Sequence, residues 1–276
     1  MIDLFNAAIG RIADAALFLF RRSNPWVGMT VVSLVTALLM LAVYRVASDQ
    51  EGIRAAKDKI IAYLLEARLF RNDLHVSLRA QGNILRFNLK YLALSARPLV
   101  VMIVPLVLAM VQLDQWFGHE ALRPGEPALV KVRLKEGHQP SREAISITPA
   151  RGFTVETPPL RIDREGEADW RIRGAEPGNW DAHVIVDGES VGKGIVVGDG
   201  SLSRISPARV APHWLDQLAN PGEWSLPDSA PVKSIEITYP GRTLGFFGWR
   251  IHWLVAFIGL SILFGFLIKP WLGVEI

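Results

Sequence analysis

The feature that most constrains this chain is an unbroken run of twenty uncharged residues from Pro25 to Tyr44, PWVGMTVVSLVTALLMLAVY. As a helix it measures about 30 Å, the thickness of a hydrocarbon core, so it is expected to span a bilayer. A second run, Pro98 to Leu113, lies between Arg97 and Asp114 and holds sixteen residues. That is about 24 Å of helix, short enough that its flanks must snorkel or the bilayer must thin around it. A third runs from Trp249 to Ile268, interrupted only by Arg250 and His252, with Trp249, Trp253 and Trp271 as interfacial anchors. Three spans are therefore expected, at 25–46, 97–117 and 247–270. Composition agrees: 50% of the 276 residues are hydrophobic and 21% charged, and the mean hydropathy is +0.24, too apolar for a soluble domain of this size.

The charges between the spans set an expected orientation. Residues 45–97 hold ten Lys/Arg against five acids, whereas residues 119–246 hold fifteen against eighteen and, being long, count little for topology. The short basic loop is expected in the cytoplasm, with the N-terminus and the large domain outside and the C-terminus inside. Arg21 and Arg22 oppose this weakly. The setting expected is the inner (plasma) membrane, since the N-terminal segment is poor in arginine and unlike a transit peptide. In residues 1–22, Asp3, Asn6, Gly10, Arg11 and Asp14 recur along one side of a helix and Leu4, Ile9, Ile12, Ala16 and Leu17 lie elsewhere around it. This pattern predicts an amphipathic helix in the membrane interface.

Residues 49–96 read as an antiparallel coiled-coil hairpin. Its seam is expected along Ile53, Ala56, Ile60 and Leu64, then Leu74, Leu78, Leu85 and Leu92, with Arg71-Asn72-Asp73 breaking the two arms. Beyond the second span the rhythm changes to period two: Val130, Val132 and Leu134 alternate with Lys131, Arg133 and Lys135. Short runs follow at 145–148, 153–156, 160–162, 168–173, 180–187 and 191–197. Residues 120–200 are thus expected to form an immunoglobulin-like β-sandwich with Trp170 and Trp180 in its core. Residues 201–245 carry five prolines between Pro207 and Pro231 and are expected to be irregular, ending in a strand at 235–239 that feeds the third span. The whole reads as an α-helical integral membrane protein of three transmembrane helices, with a cytoplasmic helical hairpin, an N-terminal interfacial helix and an inserted all-β immunoglobulin-like extracytoplasmic domain.

Chemistry-bearing patterns are sparse. There is no cysteine, which excludes thiolate metal sites and a cysteine nucleophile, and no two of the six histidines have HExxH spacing, so neither metal nor cofactor is expected. The glycines from Gly192 to Gly200 sit on and after a strand with no helix following, which argues against a phosphate loop. Asp163, Glu165 and Glu167 would need burial in a cleft to act as acid and base. No enzyme is expected. Polar residues inside the spans are few: Thr30, Ser33 and Thr36 in the first, Gln112 and Asp114 at the end of the second, and Ser261 in the third. Two readings stand, helix–helix contact through small hydroxyls or the lining of a shallow wet groove. Pro105 would remove a backbone hydrogen bond and bend the second span beside that groove.

The order of amphipathic helix, span, basic coiled coil, short proline-bearing span, outer segment and span resembles the YidC/Oxa/Alb insertase superfamily. So does the text around Asn24-Pro25, Tyr44-Arg45-Val46-Ala47-Ser48-Asp49-Gln50 and Arg97-Pro98 to Pro105. It looks closest to the three-span branch that includes the archaeal YidC-like proteins and the insertase subunit of the eukaryotic endoplasmic-reticulum membrane complex. The likeness covers roughly residues 1–117 and 245–270. Two departures matter: the groove arginine of many bacterial members has no counterpart here nearer than Arg45, and the sandwich is foreign to that branch.

The resemblance implies an insertase or membrane chaperone working without ATP or cofactor. Its clients would meet Thr30, Ser33, Thr36, Gln112 and Ser261 in the groove, with Arg45 at the mouth. Arg54, Lys57, Lys59, Arg68, Arg71, Arg79, Arg86 and Lys90 of the hairpin would receive nascent membrane-protein clients, the ribosome, another membrane subunit or lipid headgroups. The competing reading is a structural or sensing subunit whose sandwich binds an extracytoplasmic partner while the spans anchor it.

Overall fold

The computed structural model describes residues 2–21, 23–246 and 248–273; Arg22, Phe247 and the tail 274–276, which enter the expectations above, lie outside them. The chain divides into two compact units, residues 1–29 with 108–256 and residues 30–107 with 257–276. Among the described residues three helices are long and apolar enough to cross a membrane: α2 (Pro25–Ala47), α4 (Leu74–Phe117) and α6 (Trp253–Leu272). The unit boundary cuts all three.

In the first unit, α1 (Ile2–Phe18) packs with its polar side inward. Asn6 Nδ2 donates to the Gln217 carbonyl at 2.8 Å, Ser225 Oγ to Asp3 at 2.7 Å, and Arg204 reaches Asp14 at 3.0 Å. Leu4, Phe5, Ile12 and Phe18 are left exposed. Asn24 and Pro25 then start α2 by direct means: the Asn24 side chain accepts from Trp26 N at 3.0 Å, and proline at the first helical position gives up only an N–H that has no partner there.

The β module of this unit has β1 (Pro127–Leu134), β2 (Ile145–Thr148), β3 (Phe153–Val155), β4 (Leu160–Ile162), β5 (Glu167–Gly174), β6 (Gly178–Val186), β7 (Glu189–Val197), β8 (Ala208–Val210), α5 (Trp214–Ala219) and β9 (Val232–Ile237). One antiparallel sheet runs β3-β5-β1-β9-β8, with β4 also on β5; a second runs β2-β6-β7. The two form an open, sandwich-like arrangement. Alternation decides what is buried: Val130, Val132 and Leu134 of β1 and Trp170 and Ile172 of β5 enter the core, while Trp180 packs half-buried at its edge. The β6–β7 hairpin turns on Asp187-Gly188, both at positive φ, the two-residue turn whose twist suits paired strands.

The segment 201–245 is more ordered than its prolines predict, since it contains β8, α5 and β9 and begins β10 (Thr243–Phe246). Strand β9 does not feed the third apolar helix either. Strand β10 pairs with β11 (Trp249–His252), and α6 begins only at Trp253. Arg250 and His252, which interrupt the apolar run in sequence, belong to this hairpin, so α6 carries no charge before Lys269.

Register on β1 and β5 sets Lys131 opposite Asp169 and Arg133 opposite Glu167. Buried Glu167 takes Lys131 at 3.1 Å and Arg133 at 3.0 Å. Asp169 lies 4.0 Å from Lys131 and shares a hydrogen bond with Glu167, and burial together with the Glu167 charge pushes it from its ordinary 3.8 up to about 6. Between about pH 4 and pH 6 the folded chain keeps a proton that the unfolded chain releases, so stability falls as pH rises through this window and stays lower above it. Asp169→Asn should therefore melt higher than the parent at pH 7, by on the order of 1–2 kcal/mol, and converge with it near pH 4. Thermal melts across that range check this; a pH-independent difference refutes it.

In the second unit, Asp49 caps α3 (Gln50–Leu69) through Gly52 N at 2.9 Å, and Asp73 caps α4 through His75 N and Val76 N. The two helices form a hairpin joined near Ile53 and Ala56 on α3 and along Ala80, Ile84, Phe87 and Tyr91 on α4. Tyr63 stacks on Phe87 at 5.7 Å, and the Lys57 ammonium lies 5.7 Å from the Tyr91 ring centre. This corrects the expected seam. Leu64 on α3 is more than half exposed, and so are Leu74, Leu78, Leu85 and Leu92 on α4, which lie on a different face from the one α3 covers. α4 then continues without a break through Pro98 and Pro105. Each proline lacks an N–H, so the carbonyls of Leu94 and Val101 lose their usual helical partners.

Candidate functional site

The buried face of α2 reads Met29, Ser33, Thr36, Ala37, Met40, Leu41 and Tyr44, each three or four residues from another of the set, which makes one side of a helix. Ser33 and Thr36 thus lie on the packed side, with Thr30 half-buried on its flank. Ser261 is half-buried on α6. The hydroxyl oxygens of Ser33 and Ser261 are both shut off from solvent, and neither has a hydrogen-bond partner in the protein. In helices this apolar an unmet hydroxyl is costly.

Gln112 is also buried but belongs to the first unit, with the last turns of α4. Arg45 is exposed close to the C-terminal end of α2. Beside it, Leu41 and Tyr44 cluster with Met102 of α4 and Ile268 and Leu272 of α6. Elsewhere 6% of the most apolar stretch of α4 is fully buried, against 39% for α2, with Met102, Pro105, Leu106 and Leu108 to Val111 half-buried.

Of the predicted basic set, Arg54, Lys59, Arg68, Arg71, Arg79, Arg86 and Lys90 are exposed along the hairpin, whereas Lys57 is engaged with Tyr91. Pro105 is half-buried within α4.

The first unit ties down the neighbouring ends of the apolar helices. Trp26 Nε1 in the first turn of α2 donates to the Gly245 carbonyl at 2.7 Å, and its ring meets Phe246 at 5.5 Å. The Gln115 carbonyl in the last turn of α4 accepts from Ile205 N at 2.7 Å. Buried Arg242 donates to the carbonyls of His119, Gly200 and Ser201. Burial holds its guanidinium below the ordinary value, against the pull of Glu120. α6 follows directly from β11.

A second polar centre escaped the sequence reading. Lys193, between Gly192 and Gly194 on β7, is completely buried. Its Nζ donates to Glu223 Oε1 at 2.6 Å and to the carbonyls of Ser206 at 2.7 Å and Gly194 at 3.2 Å, pinning the 201–231 segment to the sheet. Burial pushes its pKa down, opposed by Glu223. The signal was present: Val191, Lys193, Ile195 and Val197 alternate, which puts the lysine on the inward face. The carboxylates that come together are Glu167 and Asp169 rather than Asp163 with Glu165. A hollow of about 500 Å³ near them mixes Arg133 and Lys233 with Asp216 and Glu236, a balance that favours no single sign of ligand. Among the described residues no three of His, Asp and Glu are placed to hold a metal ion.

Comparison with protein-family models, with curated proteins and with solved structures returns no match.

Proposed function

We propose that the protein is a YidC/Oxa-like insertase or membrane chaperone that lowers the barrier to moving short polar segments across the bilayer without ATP. In this reading it lies in the inner (plasma) membrane, with the N-terminus and an immunoglobulin-like β module outside and residues 45–97 and the C-terminus in the cytoplasm. The observation that carries the reading is the pair of buried, unpartnered hydroxyls of Ser33 and Ser261 within strongly apolar helices. Such groups are poor anchors and good hosts: a polar tail or its hydrating water gains there the hydrogen bonds it loses on leaving bulk water. The sparse packing of α4 supports it too, because a client helix needs an open flank to leave by. The inverted polarity of α1 supports an interfacial position, since its outward residues Leu4, Phe5, Ile12 and Phe18 are suited to the acyl boundary. Depleting the protein and following insertion of small membrane proteins with short outer tails tests the proposal; accumulation of uninserted client is expected, and undiminished insertion would reject it.

A second reading, a structural or sensing subunit, draws on the ties between the β module and the ends of the apolar helices, above all Trp26 to Gly245 and Ile205 to Gln115. Charge reversals on the outer faces of the sheets separate the two, for they should spare an insertase and disable an adaptor. Excising the module is less clean, because Leu113, Trp116 and Phe117 at the end of α4 are buried in the same unit.

A further inference from the structure

The α4 segment from Leu74 to Arg97 carries two apolar stripes, and α3 covers only one of them. Leu74, Leu78, Leu85, Leu89 and Leu92 recur at steps of four, seven, four and three residues and are all more than half exposed. Arg79, Arg86 and Lys90 each follow one of these leucines, about 100° further around the helix, and Arg97 continues the same column. This segment contains no Asp or Glu at all. Among the described residues none of the four cations is paired with a carboxylate. Gly82 opens a notch along the stripe, with free space where a side chain would project.

We propose that this face of α4 is a docking site for an acidic amphipathic helix of a partner protein. A leucine stripe of this length, about 27 Å, beside an unneutralised cationic column asks for a ligand that is apolar along one line and negative along the next. Three other occupants fit less well. A second copy would set the same cationic columns against each other. A bilayer surface meets only the base of the stripe, because α4 is one continuous helix and Leu74 stands about 36 Å along it from Pro98. A nucleic acid would answer the cations and leave the leucines wet. The inference concerns the hairpin alone and holds whether or not the spans insert clients.

Full-length protein in nanodiscs of neutral lipid is titrated with two labelled helical peptides of about three heptads. Both have leucine at a and d; one carries glutamate and the other lysine at e and g. The glutamate peptide should bind about tenfold or more tightly than the lysine peptide. Leu78→Gln with Leu85→Gln should weaken it about tenfold, Leu78→Met with Leu85→Met should not, and Arg79→Glu with Arg86→Glu should invert the preference toward lysine. Circular dichroism verifies that these variants are folded. Equal binding of the two peptides, indifference to the glutamine pair, or an unchanged preference after charge reversal overturns the proposal. So does tighter binding of a single-stranded RNA, or a dimer in the nanodisc that the glutamine pair abolishes.

Discussion

Alanine at both Ser33 and Ser261 should make the protein more stable and less active at once. Each hydroxyl is buried without a partner, and an unmet buried hydroxyl costs about 1–3 kcal/mol, less where some water reaches it. Removing both is expected to raise resistance to unfolding in detergent by about 1–2 kcal/mol. If the hydroxyls serve arriving polar tails, the same change removes their hosts, and insertion of clients with short charged tails should fall on the order of tenfold, the equivalent of 1.4 kcal/mol on the barrier. Clients without polar tails should be affected far less. Helix–helix contact through the hydroxyls predicts the reverse: the alanine variant would be weaker, and insertion would change only as protein level changes. Denaturation in detergent micelles, paired with a protease-protection assay of insertion in cells, reads both quantities. A variant that is less stable and equally active returns Ser33 and Ser261 to a packing role and removes the main support for the insertase reading.

Lys193→Met should unfold the β module more readily by about 3–5 kcal/mol, the usual penalty for breaking one side of a buried ion pair. The lysine ammonium donates to a carboxylate and two carbonyls, and methionine fills its volume while leaving Glu223 and the Ser206 and Gly194 carbonyls without that donor. Lys193→Met with Glu223→Leu should recover more than half of the loss, because an apolar pair of similar size avoids stranding a charge. Tryptophan fluorescence during denaturant unfolding of the full chain follows the module through Trp170 and Trp180. A second, independent mark is pH. Burial lowers the folded pKa of Lys193 below 10.5, so the unfolded chain binds more protons just under that value, and stability rises with pH as it approaches 10.5. That rise should be present in the parent and missing from Lys193→Met. A loss below about 1 kcal/mol in the single variant, with no difference in pH response, would show that the clasp is incidental.

Much of the architecture was legible from local pattern. The lengths of the apolar runs mark, among the described residues, three helices able to cross a membrane, Arg71-Asn72-Asp73 marks the break between the hairpin arms, and alternation from Val130 to Leu134 marks a buried strand face. These features depend on neighbours a few residues away, and a linear text records such neighbours directly. The hairpin seam was not legible, because α4 carries two apolar stripes of the same period. Which one is buried depends on α3, whose Tyr63 and Lys57 meet the face of Phe87 and Tyr91. The polar side of α1 is similarly ambiguous: amphipathicity shows that two faces differ, but only Gln217, Arg204 and Ser225, some two hundred residues away, show that the polar one turns inward.

Of the candidate site, sequence alone determined which apolar helices carry hydroxyls and where cations crowd. Tertiary structure decided that Ser33 and Ser261 are enclosed and unpartnered, that Lys193 is a clasp, and that a leucine face stands uncovered beside a cationic column. The physical reason is the same throughout. Period and polarity are properties of one segment, whereas burial and hydrogen-bond satisfaction belong to the pair of surfaces that meet, and the second surface comes from elsewhere in the chain.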